Sequence, residues 1–320
     1  MMKIIVTGGA GFLGSRVIDE LLRRKDAGDF GISFDKVVSL DLAENRSHDP
    51  RVQSVVGNLA DPEILTEVVG NDTVAVFHLA AVLSGGSAEN FDQAMAVNLD
   101  GTRALLEAVR HAGNSPRFIF TSSLAVFGGS VPRIVEENWA EQPDSTYGAL
   151  KAVGELLVNE YSRKGFVDAR ICRLPTISVR PGKPNSAASS FASGIIREPL
   201  SGIASECPVP HETRMWLSSP NMAVANLVHA LEIDGQKIGA WRGMNIPGIS
   251  VTVEDMLASL EAVGGPEARE LVTDRQDPAV MEIVCSWPGE FAVDRMLELG
   301  FMRDASFDDI VRQFRDEFVA

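Results

Sequence analysis

Basic residues are in the minority in this 320-residue chain: 29 Lys and Arg face 44 Asp and Glu, leaving a formal charge of −15 without any cationic tract. A chain of that sign offers little to nucleic-acid phosphates, so no nucleic-acid partner is expected. Small anions are not excluded, because they need only a few local Arg, Lys and backbone N–H groups. Cysteine is scarce too. Cys172, Cys207 and Cys285 are odd in number, widely spaced and free of C-x-x-C, which excludes a disulfide framework and suits a reducing cytoplasm. Five histidines form no H-x-x-x-H pair, so no metal is expected. Long apolar runs are also missing. None nears the roughly 20 residues of a membrane span, and the opening MMKIIVTGG reads as a core strand, not a signal peptide. What remains is a cytoplasmic protein with one large α/β domain, alone or with a smaller appendage.

The stretch KIIVTGGAGFLG, Lys3–Gly14, says what the first half is built around. A buried strand (Ile4, Ile5, Val6) runs into a turn that needs Gly8. Gly11 clears space for a pyrophosphate, and Gly14 lets the next helix pack closely on the strand. The helix start, Phe12 and Leu13 onward, turns free N–H groups and a positive dipole end toward phosphates. A second strand, Val37–Leu40, ends in Asp41. An acid there accepts hydrogen bonds from both ribose hydroxyls of adenosine and repels a 2′-phosphate, so the expected cofactor is NAD and not NADP. Asp35 is the rival, better read as a strand-entry residue.

Strands and helices then alternate, which implies a parallel sheet with right-handed crossovers. Strands are expected at Val52–Val56, Val74–Leu79, Arg117–Ser122 and Ala169–Leu174, and helices over about 61–69, 88–112 and 147–164. From Ser178 the chain becomes rich in Pro, Gly and Ser, with helices expected at Phe191–Ile196, Pro220–Leu231, Val253–Ala262, Val293–Leu299 and Phe307–Phe318. The fold class is therefore α/β, a Rossmann-type doubly wound parallel sheet with a smaller C-terminal lobe. Residues 1–176 form the NAD-binding domain. Residues 177–320 form mainly a substrate-binding lobe over the carboxyl ends of the strands, with some segments returning to the first domain.

Tyr147 and Lys151 open a helix four residues apart and share one face. A tyrosine is a poor base at its ordinary pKa near 10, and a lysine ammonium beside it stabilises the phenolate. Lysine can also hold a nicotinamide ribose. Tyr147 is one of only two tyrosines, and the strand before it ends in the hydroxyl cluster Thr121, Ser122, Ser123, which delivers a serine to the same sheet edge. His78, at another strand end, reads as a satisfied core histidine.

Together TGGAGFLG, HLAA (His78–Ala81), VNLDGT (Val97–Thr102), FTSSLAVFG (Phe120–Gly128) and YGALK (Tyr147–Lys151) resemble the extended short-chain dehydrogenases/reductases, the NAD-dependent relatives of nucleotide-sugar epimerases and dehydratases. The resemblance implies that Tyr147 is the acid/base, Lys151 its partner and Ser123 the hydroxyl orienting the substrate. It places Ala80, Ser122 and Pro175 along the cofactor, Asn58 and Leu59 near its adenine, and gives Asn98 the task of holding the active-site helix or a water. Many relatives carry Asp where Asn58 stands. The family habit of pairing two long helices implies a homodimer through roughly 88–112 and 147–164.

Departures from the family narrow the substrate. Leu124 and Ala125 follow Ser123 where dehydratases place an acidic pair, and without a general acid elimination is not expected. Arg173-Leu174-Pro175-Thr176 lacks the Asn that contacts a diphosphate in nucleotide-sugar enzymes. Of their later R-x-Y/W-x-x-V-x-D pattern only Arg214 and Trp216 remain. Instead, residues 180–197 offer small residues, hydroxyls and cations suited to a compact polyhydroxylated acid. That stretch, with PVPHETRMW and NIPGISVTV, resembles the family's sugar-acid dehydrogenases. The expected reaction is oxidation of a 2-hydroxy sugar acid, with Ser84, Ser123, Tyr147 and Thr176 around the substrate and Arg180 or Arg214 clamping its carboxylate. A nucleotide-sugar 4-epimerase and a non-catalytic NAD-sensing module are the competing readings.

Overall fold

A computed structural model describes residues 1–182 and 188–319. Lys183 to Ala187, within the stretch rich in hydroxyls and cations, lie outside the described residues. Twelve strands follow in chain order among those described: β1 Lys3–Thr7, β2 Lys36–Asp41, β3 Val52–Val56, β4 Thr73–His78, β5 Arg117–Ser123, β6 Asp168–Leu174, β7 Thr176–Ile177, β8 Ser205–Cys207, β9 Arg214–Ser218, β10 Gly243–Asn245, β11 Ile249–Thr252 and β12 Val272–Asp274. Seven form one sheet in the order β10-β6-β5-β4-β1-β2-β3, every neighbouring pair parallel. Strands covered on both faces read as continuous apolar runs, and β1 is buried at every position.

The two-residue side-chain period sorts β1 between two cores. Ile4 and Val6 join Phe77, Ile119 and Leu227 on one face, under the helices Phe12–Ala27 and Pro220–Glu232. Ile5 joins Val76, Phe118, Leu105 and Val158 on the other, under Thr102–Ala112 and Thr146–Arg163. Strand order reverses beside β1, which pairs β2 on one side and β4 on the other. A crevice opens there at the carboxyl ends of the strands, where open α/β sheets bind ligands.

The single helix expected over 88–112 is broken. Ser84–Glu89 ends at Asn90, whose non-helical backbone (φ −137°, ψ 89°) lets its side chain cap the next short helix by accepting from Gln93 N. A π turn at Met95–Gly101 follows before Thr102–Ala112 resumes α geometry. Such turns insert one extra residue and re-aim side chains, and this one carries Asn98.

A separate core holds the later residues: Ile195, Ile196, Met215, Leu257, Ile310 and Phe314 bury one another beneath the sheet β11-β9-β7 and the pair β12-β8. The chain nevertheless returns to the large sheet, where β10 extends β6 and Pro220–Glu232 covers one face. Among the described residues no helix is long and apolar enough to cross a membrane.

Candidate active site

The glycine turn is fixed by sterics. Gly8 sits in the left-handed region (φ 71°), where a Cβ would stand 2.8 Å from Ala80 N. At Gly14 a Cβ would meet Gly8 O at 2.1 Å, so only glycine lets the helix Phe12–Ala27 approach the strand. Gly11 differs: its Cβ would touch only Gly8 O, at 3.1 Å, which leaves the space over it open to the crevice. Asp41, closing β2, accepts from Ala10 N at 3.0 Å and from Ala43 N at 3.2 Å. Asp35 instead accepts from Met2 N at 2.7 Å, at the strand entry.

From this turn a cleft of about 540 Å³ runs to the end of β6. It is lined by Gly8, Gly11, Phe12, Leu13, Gly14, Asp41, Asn58, Leu59, Ala80 and Ser122 toward the glycine turn, with Lys151 and Pro175 further along. Ser84, Ser123, Tyr147, Thr176 and Arg180 line it as well. The open space over Gly11 and the carboxylate at Asp41 suit a dinucleotide such as NAD.

The catalytic candidates come from two elements that dock closely. Ser145 caps the helix Thr146–Arg163 by accepting from Gly148 N at 3.1 Å. A Cβ on Gly148 would lie 2.0 Å from Ala125 O, so the glycine brings the helix against the turn Leu124–Val126. Tyr147 and Lys151 thereby face the end of β5. Ser123 accepts from Ala125 N at 3.2 Å and shares a hydrogen bond with Tyr147. Lys151 is buried, donates to Thr121 O at 2.7 Å and stands 5.7 Å from the Tyr147 ring centroid.

Electrostatics depart from the sequence expectation at one point. Burial pushes the Tyr147 hydroxyl up to about 12, and the groups that pull it back are Ser123, by hydrogen bonding, and Arg180, by charge. Lys151 is not the lowering cation, since its ammonium is committed to the Thr121 carbonyl; burial draws it down to about 8 against the pull of Glu155.

Arg180 is the least satisfied cation in the cleft. Its backbone is pinned, with its N–H donating to Ser193 Oγ at 3.0 Å and its carbonyl accepting from Arg197 Nη1 at 2.8 Å. Its Nη2 is buried with no hydrogen-bond partner among the described residues. A buried donor in that state costs about 1–3 kcal/mol, so an anion supplied by a ligand would be well received. Burial, and then the nearby Arg197, lower its pKa, as expected of a guanidinium kept from water beside another cation.

Two expectations fall outside the cleft. Arg214 opens β9 on the surface, donates to Ser250 Oγ at 3.3 Å and does not line the cleft, whereas Arg180 does. Asn98 does not line the cleft. Both ends of its amide are spent on Val82, accepting from its N–H at 2.8 Å and donating to its carbonyl at 3.0 Å, which fixes the segment after β4. His78 is the satisfied core residue expected: one ring nitrogen bonds Thr7 Oγ1 at 2.7 Å and the other Thr102 Oγ1 at 2.8 Å, and burial holds it down to about 3.

Behind the cleft, Glu155 is completely buried and accepts from Ser122 Oγ and twice from Arg173 Nε at 3.0 Å. Arg173 reaches on to Glu141 at 2.5 Å and to the Glu137 carbonyl at 2.9 Å. The arginine that ends the sixth strand therefore ties the catalytic helix to its surroundings. Sequence reasoning did not single out Arg197, Gln93 or Trp287, all of which line the cleft. Arg197 lay within a stretch already noted for its cations; Trp287 comes from a distant segment that carries no local signal.

Several known proteins are similar to this chain. Over 99% of its length the chain is 50% identical to D-erythronate dehydrogenase of Cupriavidus necator, covering 98% of that protein. It is 44% identical to D-erythronate dehydrogenase of Haemophilus influenzae, over 98% of each. The crystal structure of the nucleoside-diphosphate-sugar epimerase from Agrobacterium tumefaciens superimposes with a TM-score of 0.93 at 36% identity, covering 99% of this chain and 94% of that one. The model of the NAD dependent epimerase/dehydratase family matches residues 4–239, and the chain belongs to that family.

Proposed function

We propose that this protein oxidises a small 2-hydroxy sugar acid, D-erythronate to 2-oxo-erythronate, with NAD. The observation that carries the substrate class is the Arg180 guanidinium, whose buried Nη2 has no partner among the described residues and which lies close enough to Tyr147 to lower its pKa. Similarity to two D-erythronate dehydrogenases supports the particular acid.

Gly8, Gly11 and the helix start at Phe12 would hold the pyrophosphate, Asp41 the adenine ribose, Asn58 and Leu59 the adenine, and Ala80, Ser122, Lys151 and Pro175 the nicotinamide half. NAD, when bound, supplies a hydride acceptor and a positive ring. Arg180 clamps the carboxylate and fixes the C2 hydroxyl toward Tyr147, with Ser84 and Thr176 beside the other hydroxyls. Ser123 hydrogen-bonds the same C2 oxygen, and the Tyr147 phenolate takes its proton. Lys151 secures the end of β5 through its bond to the Thr121 carbonyl.

NADH formation from D-erythronate tests the reading, with Tyr147→Phe expected to lower kcat by about 10²–10⁴-fold and to leave NAD binding intact. Absence of turnover with D-erythronate and other tetronic and pentonic acids overturns it. Likeness to the sugar-nucleotide epimerase structure favours one alternative, a nucleotide-sugar 4-epimerase using the same Ser123, Tyr147 and Lys151; interconversion of a nucleotide sugar without net NADH would select it. The protein is further proposed to act as a cytoplasmic homodimer. Exposed Phe91, Val153 and Leu156 along the two helical segments support the pairing, and light scattering of the purified chain tests it.

A further inference from the structure

Outside the cleft, the second lobe gathers three metal-binding side chains of different kinds. Cys207 ends β8 and Asp274 ends β12, and the two are register partners in the same small parallel pair. His211 lies in the turn between β8 and β9. Their ligand atoms (Sγ, a ring nitrogen and a carboxylate oxygen) all lie within 4.8 Å of one another, and among the described residues no other three such side chains converge. None of the three lines the cleft.

The arrangement around His211 is directional. Its Nε2 faces Asp274 Oδ1 at 2.8 Å, and its Nδ1 faces Glu254 Oε2 at 2.8 Å. A carboxylate on the far nitrogen is the usual partner that orients a metal-binding imidazole and raises its basicity. A divalent ion placed between Nε2, Asp274 and Cys207 takes the position of one ring proton. Backbone hydrogen bonds already set the ligands in place. Arg275 N donates to Cys207 O at 3.0 Å and Asp277 N to Pro208 O at 2.9 Å, while Glu254 N donates to His211 O at 2.9 Å. Thiolate, imidazole and carboxylate form the ligand set of zinc, at about 2.0–2.3 Å. The sulfur disfavours the hard ions calcium and magnesium.

We propose that Cys207, His211 and Asp274 bind one divalent ion of the zinc class, with water as the fourth ligand on the exposed side and Glu254 as the residue positioning the imidazole. On binding, the Cys207 S–H bond, now directed at the Val209 carbonyl at 3.3 Å, is exchanged for a sulfur–metal bond and the His211 Nε2–H bond for a nitrogen–metal bond, and both protons leave to solvent. No electron is transferred. The ion joins β8, β12 and the turn between β8 and β9, with the helix Val253–Gly264 tied on through Glu254, and so clamps the lobe whose helix Phe191–Leu200 carries Arg197 into the cleft. Sequence spacing hides the site because Asp274 comes 63 residues after His211.

Titration of the full chelator-treated protein with Co²⁺ tests the proposal, followed by absorbance and by thermal melting. One equivalent is expected to bind, with a thiolate-to-cobalt charge-transfer band that Zn²⁺ abolishes by displacement. Either ion should raise Tm. Cys207→Ser removes the band, and Glu254→Gln weakens binding about 10–100-fold. Because Cys207 is buried and its replacement can unfold the lobe, His211→Gln serves as the second ligand variant, expected to weaken binding at least as much. Cys285→Ser leaves the band unchanged. A wild-type protein with no saturable Co²⁺ binding overturns the proposal, as does a band that survives Cys207→Ser or disappears with Cys285→Ser.

Discussion

At the scale of single residues, the cleft depends on where charge is left uncompensated. Arg180→Met is expected to raise KM for the sugar acid by about 10–100-fold, the effect of removing a charge-assisted pair worth roughly 1.5–3 kcal/mol, while Arg214→Ala changes KM less than about twofold; steady-state kinetics decide, and a larger rise in Arg214→Ala would assign the carboxylate to Arg214. The base must be deprotonated to act, and burial holds Tyr147 up to about 12. The rate should therefore climb with pH above neutrality. Removing Arg180, which lowers that pKa, should move the climb to higher pH, as a kcat/KM profile will show. His78 gives the opposite kind of dependence, on stability. Folded, it is held down to about 3, whereas unfolded it takes a proton near 6.5. The unfolded state binds more protons between those values, so stability is full above about pH 6.5 and falls by up to about 1.4 kcal/mol per unit as pH drops toward 3. In His78→Gln the slope of unfolding free energy against pH, measured in urea between pH 7 and 5, should be shallower by that amount. An unchanged slope would dismiss the buried neutral imidazole as its source.

Elements turn these residues into a site, and here the limits of the sequence show. The glycine turn, Asp41 and the pair Tyr147–Lys151 were legible because each is local: a strand end, a helix start, a four-residue spacing. Arg180 was legible only as one of two candidates, since burial and the lack of a partner are properties of packing. Asn98 was expected to hold the active-site helix or a water, yet the π turn aims it at Val82, a re-aiming that the periodicity of 88–112 cannot reveal. The Glu155–Arg173 pair and Trp287 arise from contacts distant in sequence. Close docking between elements is equally sensitive. Gly148→Ala sets a methyl group against the Ala125 carbonyl and Pro143, so the helix must retreat from the turn that carries Ser123. We expect a loss of about 1–3 kcal/mol in stability and a kcat that falls more than KM rises. Unaltered urea midpoints would show that the helix has room to spare.

Across the whole molecule, the large sheet and the second lobe are sewn together by a chain that crosses between them more than once. Pro220–Glu232 buries Val224, Leu227 and Leu231 against the large sheet, and Met296 and Phe301 join the same core from still later in the sequence. A fragment ending at residue 176 should therefore be insoluble or unfolded by circular dichroism, although it contains Tyr147, Lys151 and the glycine turn; a folded, NAD-binding fragment would show that the first domain is self-sufficient. The strand β10 adds a consequence for biosynthesis. It supplies the last ladder of the sheet, pairing Gly243, Met244 and Asn245 with Ile171, Cys172 and Arg173. On the ribosome, β6 emerges well before its partner and presents an open edge of backbone donors and acceptors until Asn245 has cleared the exit tunnel. The nascent chain is thus most exposed to mispairing in that interval, and slow translation between the two strands is the point at which a chaperone would matter most.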